Sequence, residues 1–167
     1  DAKADLAATY GEGEWVLNYS NDQFFLNRPL IRERGLDLEA MQQCVQALAL
    51  EYEGVFTAVT GTDLVRGNTS NDEILERLRS GWSASASGDV IIVPKPGWIQ
   101  YSRSGTTHGS PFAYDTHVPL LFYGWHVPAG ITYERTYIRD IAPTVAALIH
   151  SPMPNATTGR PIEDLFD

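Results

Sequence analysis

The order of its patterned segments predicts an α/β fold for this 167-residue chain. Short runs rich in β-branched and aromatic residues alternate with runs whose apolar residues recur at helical spacing. The order is β-β-α-β-α-β-loop-β-α. Two strand-like runs, "DVIIV" and "VPLLFYGW", are apolar almost throughout, the pattern of strands covered on both faces. Parallel pairing is therefore expected around residues 89–93 and 118–124.

Each element has its own signals. "EWVLNYSNDQFFLNRPLI" reads as two short strands around the turn Ser20-Asn21-Asp22, because Val16, Phe24, Phe25 and Leu26 suit a pleated surface and the polar triplet suits a turn. In "GLDLEAMQQCVQALALEYEG" the residues Leu38, Met41, Val45, Leu48 and Tyr52 share one helical face. Asp37 is a good N-cap and Gly54 a good stop, so a helix of about four turns is expected. "VFTAVTGTDL" follows as a strand. "SNDEILERLRSGW" reads as a helix opened by a Ser70-x-x-Glu73 capping box. Asp89 to Val93 form the next strand, ended by Pro94. After "VPLLFYGW", the run "DIAPTVAALIH" is a helix with Asp140 as cap and Pro143 tolerated in its first turn. The tail "SPMPNATTGRPIEDLFD" is turn-rich and belongs on the surface. There is no repeat. The small run Ser83-Ala84-Ser85-Ala86-Ser87-Gly88 reads as a hinge or connection, which divides the chain into 1–85 and 86–167.

Composition narrows the function. The chain is 43% apolar and 20% charged, as soluble globular proteins are. Twelve Lys and Arg against 21 Asp and Glu leave a net charge of -9, which argues against nucleic acid and against anionic lipid as partners. No apolar run approaches the roughly 20 residues that span a bilayer. The polar, acidic opening "DAKADLAATYGEGEW" carries no signal-peptide pattern. Cys44 is the one cysteine, so no internal disulfide forms, and its helical neighbours suit a packed thiol.

The chemistry concentrates in "GTTHGSPFAYDTHVPLLFYG", residues 105–124. His108 lies in a loop between two apolar runs, where ligand sites gather in α/β sheets, and Gly109 admits close approach. Its neutral imidazole suits zinc; it equally suits a histidine that caps a turn. Asp115 and His117 are two apart, so on an extended segment they would share a face. They could be metal ligands, a carboxylate–histidine pair behind a ligand, or residues bonded to backbone at a strand entry. Ser104, Thr106, Thr107 and Ser110 offer hydroxyls, but the chain holds no G-x-S-x-G elbow. It also lacks G-x-x-x-x-G-K-[ST] and G-x-G-x-x-G. His126 and His150 read as surface or helix-end residues. Trp15, Trp82, Trp98 and Trp125 are too scattered for a stacking platform and suit core or interface positions. A catalytic zinc takes about three protein ligands and a two-metal site about twice that, which exceeds His108 plus the Asp115–His117 pair.

The motifs "SGTTHGSPFAYDTHVPLLFYGWHVPAG" and "YIRDIAPTVAALIHSPMPNATTGRPI" resemble the alkaline phosphatase superfamily, in its branch of bacterial zinc phosphatases and nucleotide pyrophosphatase/phosphodiesterases. Upstream, "LNYSNDQFFLNRPLI" and "GLD" are similar to the same branch. The resemblance implies a partial alkaline-phosphatase-like core with a small α+β cap or insertion ahead of it. It implies hydrolysis of phosphate esters with two zinc ions and a Thr or Ser nucleophile that lies outside this chain. It makes His108, the histidine of T-H-G, the last zinc ligand, with Thr107, Asp115 and His117 at most behind the ligands. It also implies a periplasmic or secreted setting. The chain then reads as a C-terminal piece or a separately made domain, inactive in isolation, whose exposed core surface would favour a homodimer. The competing readings are a non-catalytic binding module that reuses the fold, and a sulfatase, phosphodiesterase or phosphomutase-type relative.

Overall fold

Asn21 and Asp22 adopt left-handed backbone, φ 49° and 57°, the geometry of a two-residue hairpin turn whose twist matches the flanking strands. They join β1 (Val16–Ser20) to β2 (Gln23–Leu26) in the computed structural model, which describes residues 2–67, 72–99, 105–124 and 126–166. With β3 (Val55–Thr60) and β4 (Val90–Pro94) they form a four-stranded sheet in the order β1-β2-β4-β3. Every pairing in it is antiparallel. The expected parallel pairing is therefore wrong. Residues 118–124 form no strand, and β4 pairs instead with β2 and β3. The physical reason is that an apolar run becomes a strand only where a neighbour accepts its backbone hydrogen bonds, and the described residues offer 118–124 none.

Two compact units divide the chain, Asp1–Val118 and Pro119–Asp167. In the first, α1 (Ala2–Tyr10), α2 (Arg28–Glu33), α3 (Leu38–Leu50), α4 (Gly61–Arg66), α5 (Glu73–Gly81) and the single turn α6 (Ala113–Thr116) surround the sheet. The core lies between α3 and the sheet: Met41, Val45 and Ala49 meet Trp15, Val16, Leu26, Ala58 and Val90, with Leu6 of α1 and Ile31 of α2 sealing it. A smaller cluster of Val59, Leu64 and Ile91 packs against Leu75, Leu78 and Trp82. Cys44 is half-buried and packs against the main core, as expected.

Caps decide where the helices start. Asp37 accepts from Glu39 N and Ala40 N at the head of α3, as its position predicts, but α3 stops at Leu50 and leaves Tyr52 outside it and exposed. Asn27 caps α2, whose Pro29 sits in the first turn where its missing N–H costs nothing. Thr60 caps α4 by accepting from Asp63 N. Asp72, not the Ser70 box, caps α5 by accepting from Ile74 N; Glu73 is the first helical residue, and Ser70 lies outside the described residues. The run 83–88, read as a hinge or connection, forms a hydrogen-bonded turn. Ala86 N and Ser87 N donate to Ser83 O, Ser83 N donates to Ser87 Oγ, and Gly88 N donates to Gln23 Oε1.

Asp89 ties these elements together. It is 2% exposed. Its carboxylate accepts from Leu26 N at 2.9 Å, Arg28 Nε at 2.8 Å and Gln42 Nε2 at 3.2 Å. Gln42 Oε1 in turn accepts from the Thr62 hydroxyl at 2.6 Å. A carboxylate this deep persists because its acceptor sites are filled.

In the second unit, α7 (Ile141–Leu148) follows a 3-10 turn, Ile138–Asp140, and buries Pro143, Thr144 and Ala146. Asp140 precedes α7 but does not cap its N–H groups. Its carboxylate accepts from Tyr137 N at 2.8 Å and from Arg160 N at 3.0 Å. Thr144 Oγ1 donates to Asp140 O and accepts from Ile162 N, so the tail is held along the helix. Gly159 makes that approach feasible, since a Cβ there would stand 2.0 Å from Arg139 O. Much apolar surface in this unit is bare: Leu121, Ile131, Tyr133 and Ile138 are each more than four-fifths exposed.

Candidate functional site

The loop from Gly105 to Phe112 carries His108, and glycine and proline shape it. Gly109 stands at φ 100°, a conformation that L side chains rarely adopt, and it turns the chain immediately after the histidine. His108 is exposed, and its ring makes no hydrogen bond among the described residues. The Thr107 hydroxyl reaches only the His108 carbonyl, at 3.4 Å, so it does not orient the imidazole.

The other expected residues divide. Asp115 and His117 do not share a face as on an extended segment. Asp115 lies within the turn of α6 and His117 ends it, donating its backbone N–H to Ala113 O at 2.9 Å. Two residues apart on a helical turn, they point about 200° apart. The Asp115 carboxylate accepts from Ser110 N at 2.6 Å, a short charge-assisted bond. His117 is exposed. Ser110 Oγ donates to the Tyr114 hydroxyl at 3.0 Å and accepts from Phe112 N at 3.3 Å, so a structural contact occupies it. Thr106 is exposed, and Ser104 lies outside the described residues.

Gly97, Arg77, Phe112 and Phe56, which the sequence did not single out for the site, complete the surroundings. Gly97 N donates to the Tyr114 hydroxyl at 3.2 Å. Arg77 Nη1 donates to Pro111 O at 2.7 Å, and the same guanidinium pairs with Glu73 one turn back on α5. Phe112 meets Phe56 of β3 edge-on, with ring centres 5.4 Å apart, and stacks beside Tyr114 at 6.2 Å. Arg77 and Pro111 are 34 residues apart, so no local pattern joins them. The Ser110–Asp115 spacing of five was visible, but nothing in it distinguishes a backbone clamp from a ligand.

A metal site can be tested against these residues. Among the described residues no three of His, Cys, Asp and Glu come together to hold an ion. Asp115 has its acceptor turned to backbone, and His117 ends a helical turn. The donors present do not fit a zinc site by themselves. His108 offers one free imidazole from a braced loop. His126 and His150 are exposed with φ 63° and 54°, and Trp125 lies outside the described residues. Trp15 is core, Trp82 joins the smaller cluster, and Trp98 covers Gly54, whose Cβ would stand 2.5 Å from its ring.

No family model matches the chain. Individual proteins do. The alkaline phosphatase PafA of Elizabethkingia meningoseptica is 30% identical over 167 residues, covering 99% of this chain and 30% of that protein. A calcium-transporting ATPase of Myroides odoratus is 31% identical over the whole chain and 31% of its own length. The alkaline phosphatase PhoV of Synechococcus elongatus is 35% identical over 146 residues, covering 87% of this chain and 26% of that protein. The crystal structure of wild-type PafA matches with a TM-score of 0.90 at 28% identity, over 99% of this chain and 32% of that one. The chain thus spans about a third of the length of the relatives it matches. Similarity along nearly its full length, in sequence and in fold, places this chain in the alkaline phosphatase superfamily, where it fits a C-terminal portion of those longer proteins.

Proposed function

We propose that the chain is the part of a zinc-dependent phosphoric ester hydrolase that presents His108 to an active-site ion, the remaining ligands and the nucleophile coming from polypeptide outside these residues. Similarity to alkaline phosphatases along 99% of the chain carries the reading. The His108 imidazole, without a hydrogen bond among the described residues and held in a loop where the Ser110 hydroxyl and the Asp115 carboxylate are engaged, supports the residue choice. When bound, zinc ions would supply charge stabilisation to the transferring phosphoryl group. Thr107, Asp115 and His117 bear on the site only through the loop. Residues 1–85 would act as a cap or insertion beside a core that begins at residue 86. Export to the periplasm or beyond, and a homodimer through bare apolar surface, belong to the same reading.

The test uses a chimera in which this chain replaces the matching third of the Elizabethkingia alkaline phosphatase. His108→Ala in the chimera should lower p-nitrophenyl phosphate turnover about a hundredfold or more, as loss of a metal-holding group does. The isolated chain, supplied with zinc, should give no turnover. Retention of the chimera's rate within about twofold after His108→Ala, or clear turnover by the isolated chain, overturns the reading.

A further inference from the structure

We infer that Tyr114, Asp115 and Arg77 are positioning residues that lock the His108 loop onto the sheet domain. The inference rests on the reading of His108 as a metal ligand and says how that ligand is held. Loops as glycine-rich as Gly105-Thr-Thr-His-Gly-Ser are costly to order, because each residue fixed loses backbone entropy. A ligand that must meet an ion within tenths of an ångström needs that cost met in advance. Four side chains do so. Asp115 grips Ser110 N, two residues beyond the histidine, at 2.6 Å. The Tyr114 hydroxyl accepts at once from Ser110 Oγ and from Gly97 N, bolting the loop to the turn that follows β4. Arg77 of α5 holds Pro111 O at 2.7 Å. Phe112 seats its ring against Phe56 of β3.

The pattern is not that of fold stabilisation. Tyr114 is 63% exposed, and neither it nor Asp115 joins either apolar cluster. Their polar atoms instead engage the loop and the turn after β4. Arg77 adds a consequence: α5 and the His108 loop are joined through one guanidinium, so a shift of that helix is felt three residues from the imidazole.

The test is amide hydrogen exchange and ring-resolved NMR on the 167-residue chain. Tyr114→Phe removes one hydroxyl and keeps the ring; Asp115→Ala removes the acceptor, and Asp115→Asn restores a neutral one. Exchange at Ser110 should rise about tenfold or more in Asp115→Ala, be partly rescued in Asp115→Asn, and rise at Gly97 in Tyr114→Phe. The His108 ring resonance should broaden or shift in Tyr114→Phe and Asp115→Ala while the thermal midpoint stays within about 3 °C. Unchanged exchange and an unchanged His108 resonance in Tyr114→Phe overturn the inference, as does a uniform rise across the sheet, which would mean a role in stability alone. Neither outcome touches the ligand reading, which the chimera's His108→Ala rate decides separately.

Discussion

Tyr19 shows how one side chain reports on its surroundings. It lies on edge strand β1, packs its ring at a tilt against Phe24 with centres 4.8 Å apart, and donates its hydroxyl proton to Asp22 Oδ1 at 3.1 Å. Partial burial, and then the neighbouring Asp22 carboxylate, push its ionisation from 10.0 up to about 12. A folded value above the unfolded one favours the neutral form, so its contribution is whole below pH 10 and is lost as pH rises through about 12. Tyr19→Phe should therefore remove a late-ionising tyrosine from the alkaline absorbance titration and flatten the fall in stability between those values. A titration that superimposes on the parent's would contradict the assignment. The same hydrogen bond holds Asp22 in its left-handed turn. Position and type were legible here, since Ser20-Asn21-Asp22 reads as a turn, whereas the ionisation depends on Phe24 and Asp22 coming together in space.

At the level of elements, legibility followed the range of the determining contact. Helix α3 and its Asp37 cap, the β1–β2 hairpin, β3, β4 and α7 all answer to neighbours within a few residues, and the sequence pattern anticipates them. Helices α2 and α4 went unread because each spans only six residues, and α1 went unread because it carries no apolar stripe and buries Leu6 alone. The Ser70 box failed against Asp72, a cap two residues closer to the apolar face. Asp89 is the long-range counterpart. It sits before β4 and joins β2, α2 and α3 through its carboxylate, while its carbonyl accepts from Gly61 N at the head of α4. Asp89→Ala should cost about 3 kcal/mol, because Leu26 N and Gln42 Nε2 would be left buried without acceptors, with a smaller loss in Asp89→Asn. Urea denaturation with an unchanged slope measures it, and a loss under about 1 kcal/mol would show the hub to be dispensable.

For the whole molecule, bare apolar surface is the leading fact. Leu121, Ile131, Tyr133 and Ile138 each stand more than four-fifths exposed, and large exposed apolar area favours association. The chain should self-associate with rising concentration in sedimentation experiments. The pair Leu121→Ser and Tyr133→Ser should move that equilibrium toward monomer by about tenfold or more; a monomer at every concentration would set the homodimer reading aside. The sequence by itself determined the α/β class, the β1–β2 hairpin, helix α3 with its Asp37 cap, and the resemblance to the alkaline phosphatase superfamily. Those follow from local periodicity and from motifs that keep their residue order. Only the tertiary structure decided that the sheet is antiparallel, that Asp115 clamps Ser110 N, and that Arg77 reaches Pro111. Such outcomes turn on which distant backbone groups compete for one donor or acceptor, and no window of neighbouring residues contains both competitors.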